Sequence, residues 1–141
     1  MPKQALVTYF YQSAFTVSLK KTLMIFSYRQ TGLSQLTEEL QLSEKDFHGF
    51  NNILVFVPSA SLTHHDAEVI YKWKSSFPIT YLICEDAKKH APDLPSIRVC
   101  KEGDRFSVAQ ARVSVYGSTD AGVSFLVEAE DICVFHAGDL N

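Results

Sequence analysis

The chain has 141 residues, of which 46% are hydrophobic and 21% charged, and its formal net charge is −3. This length and composition are typical of one soluble globular domain, over residues 1–141, with a real core. The net negative charge provides no basic face for nucleic acid, and no apolar run approaches the ~20 residues that a membrane-spanning helix needs. Neither a nucleic acid nor a membrane is therefore expected as a partner.

Three cysteines, Cys84, Cys100 and Cys133, are an odd number and lack C-x-x-C spacing. We interpret them as reduced thiols of a cytosolic protein, since disulfides are rare in the cytosol and unpaired cysteines pack well in cores. The first ten residues also lack the charged-then-apolar pattern of a signal peptide. The expected location is the cytoplasm, and the spacing disfavours a zinc site made of these cysteines alone.

The first half of the chain alternates predicted strands and a helix. Two apolar runs flank Gln12 and Ser13 and predict a hairpin, and residues 22–28 predict a third strand. Leucines at helical spacing over residues 33–40 predict a helix. Residues 52–57 are apolar throughout, which predicts a strand covered on both faces of a sheet.

The second half begins with a helical pattern and ends in strands. Apolar residues at helical spacing over 67–77, including Trp73, predict a helix, and residues 79–84 predict another buried strand. Residues 85–95 predict a short helix ended by proline, and from Ile97 onward five β runs predict a meander. The order of elements predicts an α/β fold in which a mixed β-sheet carries helices on one face.

Polar residues follow the buried strand in the stretch VPSASLTHHD, residues 57–66. Thr63 and Asp66 match the capping pattern S/T-x-x-D/E in front of the helical stripe. His64 and His65 are adjacent, so their side chains diverge at a helix start and form a poor metal pair. The residue pattern taken alone therefore favours a helix cap over a chemical site.

Several fragments together resemble the metallo-β-lactamase-fold metal-dependent hydrolases. They are YFYQSAFTV (residues 9–17), LMIFSY (23–28), GSTDAGVSFLV (117–127) and VFHAGDLN (134–141). The resemblance implies half of the αββα sandwich of that family. It also implies a metal site at the position of an H-x-H-x-D-H motif.

The metal motif is where this sequence departs from the family. Placed on residues 59–64, the motif has Ser59, Ser61 and Thr63 at its first three ligand positions and keeps only His64. The family's later carboxylate is retained as Asp139. His64 and Asp139 are thus the residual metal positions. Catalytic zinc needs three protein ligands and an open position for water, and hydroxyls are poor ligands, so no catalytic residue and no cofactor are expected.

Two further site positions have changed: Gln12 replaces a family histidine and Ser27 replaces a family aspartate. Together the changes predict a degenerate, non-catalytic protein that acts by self-association or binding. One alternative is a metal-dependent hydrolase, with zinc or another divalent ion, whose partner chain completes the ligands around His64 and Asp139. A second alternative is a pocket that binds a small anion through the three hydroxyls of the motif.

The chain stops at Asn141, shortly after the aspartate motif, so the resemblance implies only the first half of the family fold. Either the natural protein continues or the half stands alone. In a lone half, the inner sheet face would have no partner and would carry alternate residues of 52–57, 122–127 and 131–135. Such a patch exceeds the few hundred Å² that soluble monomers expose. A homodimer that stacks sheet on sheet through this open face is therefore expected.

Overall fold

The structure is a computed structural model, and it describes residues 5–11, 14–28, 42–59, 70–117 and 122–138. The helix predicted over residues 33–40 and the start of the helix predicted over 67–77 lie outside these ranges. So do most of the positions of the H-x-H-x-D-H motif.

The first sheet has six strands in chain order. They are β1 (Leu6–Tyr11), β2 (Ala14–Ser18), β3 (Thr22–Phe26), β4 (Asn52–Val57), β5 (Ile79–Cys84) and β6 (Ile97–Cys100). The first three strands pair antiparallel, and β3 to β6 pair parallel. The hairpin, the three following strands and the mixed character of the sheet are confirmed. The central strands are buried along nearly their whole length because a parallel sheet is covered on both faces.

The second sheet is an antiparallel meander. It consists of β7 (Arg105–Val108), β8 (Ala111–Gly117), β9 (Val123–Ala129) and β10 (Ile132–His136), in the order β10-β9-β8-β7. Two-residue turns at 109–110 and 130–131 have positive φ at both positions, as type I′ hairpins require. The predicted meander is thus correct for four of its five runs. The fifth, Ile97–Cys100, is instead the parallel edge strand of the first sheet, since its partner is β5.

The two sheets face each other across the core. The rings of Phe56 on β4 and Phe125 on β9 lie 4.9 Å apart between centroids, and the guanidinium of Arg98 on β6 lies 3.7 Å from the centroid of the Phe106 ring on β7. The open inner face expected from the sequence is therefore wrong for these strands. The runs at 122–127 and 131–135 belong to the second sheet, which covers the first. Alternate residues of β9 are buried between the two sheets.

The outer face of the first sheet is covered by turns and short helices. Within the described ranges the helical elements are two 3-10 helices, Glu44–Phe47 and Glu85–His90, and Ile70, which has helical conformation and is followed by turns. Within the stretch 85–95, where a short helix was predicted, the structure has a 3-10 helix over Glu85–His90. Ile70, Trp73 and Phe47 line a small cavity against Val55. One face of the first sheet is thus covered, as predicted, but among the described residues it is covered by turns and 3-10 helices and not by the full helices that were expected.

Candidate functional site

Three chain segments meet at the carboxyl end of β4, where the sequence places the metal motif. The amide of Val123 donates to the carbonyl oxygen of Pro58 at 2.8 Å. The hydroxyl of Ser124 donates to the carbonyl oxygen of Ala137 at 2.7 Å. These bonds hold the start of β9 between the ends of β4 and β10. The carboxyl ends of parallel strands are where open α/β sheets bind their ligands.

Two glycines make this close approach possible. Gly122 has φ +114°, and a Cβ added there would lie 2.2 Å from the carbonyl oxygen of Pro58. Gly138 has φ +85°, and a Cβ added there would lie 2.5 Å from the carbonyl oxygen of Val123. Both distances are far inside van der Waals contact. Gly122 and Gly138 therefore serve the packing of three backbones at the strand ends.

Ser59 is the one ligand position of the motif that the structure describes. It directly follows the carboxyl end of β4 and is buried, with 6% of its surface exposed. A Cβ added at Gly122 would lie 3.1 Å from the Cβ of Ser59, so the space beside this residue is narrow. Ser61, Thr63, His64 and Asp139 lie outside the described residues. The structure therefore does not place the two residual metal positions relative to Ser59.

Ser27 lies just after the end of the neighbouring strand. It follows β3, which ends beside β4 because Phe26 and Phe56 are register partners. Its amide donates to the carbonyl oxygen of Phe56 at 3.0 Å, its φ is 54°, and it is buried. Left-handed backbone of this kind is uncommon outside glycine, asparagine and aspartate. Two of the substituted family positions, Ser27 and Ser59, thus follow the ends of adjacent strands, whereas Gln12 is not among the described residues.

His136 is a residue whose place the sequence analysis missed. Its ring stacks on Phe26 with 4.9 Å between centroids and an interplanar angle of 9°, and it meets the edge of Phe15 at 6.3 Å. Its Nδ1 accepts a hydrogen bond from the amide of Gly138 at 3.1 Å, which places the proton of the neutral ring on Nε2. The signal in the sequence was the alternation of Ile132, Val134 and His136 on one face of β10. These contacts make the imidazole part of the packing between the sheets.

The described donors do not fit a divalent metal ion. Across the residues that the structure describes, no group of three or more histidine, cysteine, aspartate or glutamate side chains is positioned to hold an ion. Among the described residues, the donors near the strand ends include the hydroxyls of Ser27, Ser59 and Ser124 and the imidazole of His136. The Ser124 hydroxyl already donates to a carbonyl, and Nδ1 of His136 already accepts an amide proton. Zinc takes sulfur, imidazole nitrogen or carboxylate oxygen, so this set offers too few ligands.

The buried cysteines form a separate cluster that is unsuited to nucleophilic chemistry. Cys84 and Cys100 are register partners at the ends of β5 and β6, and both are free thiols. Burial, with a smaller contribution from the carboxylate of Asp104, raises the pKa of Cys100 to about 12. Burial also raises the pKa of Cys84. The thiolate is the reactive form, so both groups are inert at neutral pH.

The sequence matches no protein-family model. No curated protein matches it either. The structure, in contrast, is similar to solved structures. The metallo-β-lactamase from Staphylococcus aureus subsp. aureus COL superposes with a TM-score of 0.51 at 14% identity, over 92% of this chain and 40% of that one. This chain has part of the metallo-β-lactamase fold.

Two further solved structures are similar in fold to this chain. The diiron β-hydroxylase CmlA from Streptomyces venezuelae has a TM-score of 0.57 at 9% identity, over 99% of this chain and 30% of that one. The metallo-β-lactamase SMB-1, solved with mercaptoacetic acid, has a TM-score of 0.50 at 11% identity, over 86% of this chain and 55% of that one. The chain thus spans little more than half, or less, of the structures it resembles. At these identities the similarity shows the fold alone.

No helix in the described ranges has the length and apolar character needed to cross a membrane.

Proposed function

We propose that this chain is a metallo-β-lactamase-fold protein whose metal site has degenerated, and that it acts by binding or self-association and not by hydrolysis. The observation that carries the proposal is Ser59. It stands at the first ligand position of the motif, at the end of β4, and is buried against Gly122. The hydroxyl of Ser59 stands where the family motif has the imidazole of its first histidine.

The narrow space around Ser59 supports this proposal. The amide of Val123 at the start of β9 donates to the carbonyl oxygen of Pro58 at 2.8 Å, so the chain on this side of Ser59 is fixed by a backbone hydrogen bond. A histidine at position 59 would need several additional heavy atoms of space beside Gly122. The strand ends are therefore packed around a small side chain, as expected of a site that no longer holds a ligand.

The chemistry of the remaining donors supports the same conclusion. A serine hydroxyl must lose its proton to bind a metal ion as an anion, and it does so far above neutral pH. Without a bound ion, the pKa of water lies far above neutral pH, whereas zinc lowers it to ~7. The described residues therefore offer no route to a hydroxide nucleophile. What they can do is donate and accept hydrogen bonds at the end of β4.

Metal analysis of protein purified without chelator tests the proposal. We expect well under one zinc, manganese or iron ion per chain, because Ser59, Ser61 and Thr63 supply hydroxyls where the family has ligands. A stoichiometric metal content would overturn the proposal. It would favour the hydrolase alternative, which rests on the metallo-β-lactamase fold and on the retained His64 and Asp139.

Restoring the motif in steps provides the matched control. The single variant Thr63→Asp should not bind zinc with micromolar affinity in calorimetry, since two imidazoles are still absent. The triple variant Ser59→His, Ser61→His and Thr63→Asp restores the family's ligand types and is compared with it. Micromolar zinc binding by the single variant would contradict the proposal, since it would mean that a competent ligand set already exists.

A further inference from the structure

The two sheets are also tied together at the end of the sandwich opposite the candidate site. The amide of Lys21 donates to both carboxylate oxygens of Glu130, at 3.1 Å to Oε1 and 3.0 Å to Oε2. Lys21 lies in the turn between β2 and β3 of the first sheet, whereas Glu130 lies in the turn between β9 and β10 of the second. The two residues are 109 positions apart in the chain, so the contact arises from the tertiary structure and not from either turn alone.

The turn that receives the carboxylate is bonded in addition to the start of β4. The carbonyl oxygen of Lys21 accepts hydrogen bonds from the amides of Asn51 and Asn52, at 2.9 and 3.1 Å. Asn52 is the first residue of β4 and the register partner of Thr22 on β3. The backbone of Lys21 therefore connects the turn of the second sheet with the strand that ends beside Ser59.

Hydrogen bonds thus join the two sheets at both ends of the sandwich. At the strand ends the amide of Val123 donates to the carbonyl oxygen of Pro58. At the opposite end the carboxylate of Glu130 takes this role. The interior between the two ends is apolar, and apolar burial is not directional, so hydrogen bonds at the ends fix how the sheets lie on each other.

The conformation of the β9–β10 turn does not account for a glutamate. Glu130 has φ 50°, and two-residue turns of this kind favour asparagine, aspartate and glycine. Ala109 has the same first position in the β7–β8 turn, with φ 48°, and its methyl group accepts no hydrogen bond. The contact with Lys21 does account for a glutamate, because its carboxylate extends one methylene further than that of an aspartate.

The charges of the two turns have opposite sign. The β2–β3 turn carries Lys20 and Lys21, and the β9–β10 turn carries Glu130 and Asp131. The lysine side chains are exposed, so water screens their attraction for the acidic turn and it contributes little. The bond between the amide and the carboxylate is directional and charge-assisted, and it supplies most of the connection at this end.

We propose that Glu130 is a latch of the sandwich: its carboxylate holds the β9–β10 turn on the β2–β3 turn and thereby keeps the second sheet bonded to the first at this end. When the carboxylate releases Lys21, this end opens while the bond from Val123 to Pro58 keeps the strand ends closed. The two ends of the sandwich therefore open separately. The latch does not depend on whether the strand ends bind a metal.

Hydrogen exchange of single amides, measured by NMR on the full chain, tests the latch. In the wild type the Lys21 amide should exchange more slowly than an unprotected amide. Glu130→Asp keeps the charge and suits left-handed backbone better, but its shorter side chain does not reach Lys21. It should speed exchange at Lys21 by about 10-fold, the factor expected for a lost hydrogen bond to a charged group, and leave Val123 unchanged. Glu130→Gln keeps one acceptor oxygen and should have a smaller effect.

Ala109→Gly is the matched control, since it changes the same position of the other hairpin turn and should leave exchange at Lys21 unchanged. Four results would overturn the latch: an unprotected Lys21 amide in the wild type, an unchanged rate in Glu130→Asp, an equal increase at Lys21 and Val123, or a similar increase in Ala109→Gly. The wild-type measurement decides even where a variant fails to fold. None of these results changes the metal analysis, so the two proposals fail separately.

Discussion

At the scale of single residues, the strand ends depend on positions where only glycine fits. Gly122 combines a backbone conformation that other residues rarely adopt with a backbone oxygen 2.2 Å from any added Cβ. Gly103 has a similar φ of +94° but nothing within 4 Å of an added Cβ. Alanine substitutions at Gly122 and Gly103 therefore separate two contributions to the free energy of unfolding: the strain of a left-handed backbone, present at both, and steric overlap, present only at Gly122.

We expect Gly122→Ala to lower the free energy of unfolding by roughly 3–5 kcal/mol, because backbone strain and overpacking add. Gly103→Ala should cost only about 1–2 kcal/mol, from strain alone. Urea denaturation of the two variants checks this. Equal midpoints would mean that β9 and β4 do not approach as closely as described.

His136 shows at the same scale why a titratable residue near a motif is not by itself a site. Its ring stacks on Phe26, and its Nδ1 accepts a hydrogen bond from the Gly138 amide. The alternation of side chains along β10 directs the imidazole of His136 towards the first sheet, since successive side chains of a strand point to opposite faces.

At the scale of elements, the outer face of the first sheet is sealed by an aromatic cluster. Phe47 is buried and lies 4.8 Å from the ring of Trp73 and 5.2 Å from that of Phe77. The hydroxyl of Tyr81 on β5 donates to the carbonyl oxygen of Ile70 at 3.2 Å, which ties the segment around Trp73 to the sheet. The segment is thus held by ring contacts and one buried hydrogen bond.

We expect Phe47→Ala to cost about 3–5 kcal/mol, the usual range for a fully buried aromatic residue. Trp73→Ala should cost less, about 2–3 kcal/mol, because Trp73 is only half-buried and loses part of its contacts. Denaturation midpoints of the two variants give the comparison. The reverse order would show that Trp73, and not Phe47, is the centre of the cluster.

At the scale of the whole molecule, buried protonated groups make stability depend on alkaline pH. Burial raises the pKa of Tyr71 to about 12 and that of Cys100 to about 12, from ordinary values of 10 and 9. The unfolded chain releases these protons at lower pH than the folded chain does. Stability from these groups is therefore complete below pH 9 and is lost as the pH rises towards 12.

The free energy of unfolding should fall above pH 9 by up to about 1.4 kcal/mol per pH unit for each group that is ionised only when unfolded. Cys100→Ala removes one such group and should flatten this slope, while it leaves the slope between pH 7 and 8 unchanged. Denaturation at a series of pH values measures both slopes. An unchanged alkaline slope in the variant would contradict the burial of this thiol.

The sequence by itself determined the strands and the order in which they follow. Residues 52–57 and 79–84 are apolar throughout, and the hairpin around Gln12 and Ser13 and the runs after Ile97 alternate in the way strands require. These features are local, so they can be recognised without knowing what lies across the sheet. The fragments that resemble the metallo-β-lactamase-fold hydrolases also predicted that fold, which is confirmed, whereas the loss of metal ligands at Ser59, Ser61 and Thr63 stays a prediction.

Only the tertiary structure decided which strands share a layer. Ile97–Cys100 joins the parallel sheet, β9 and β10 cover the face that was expected to be open, and β1 is left as the uncovered edge. A strand's own residues specify that one of its faces is buried, but not which element buries it. That choice depends on contacts between residues far apart in the chain, such as Phe56 with Phe125.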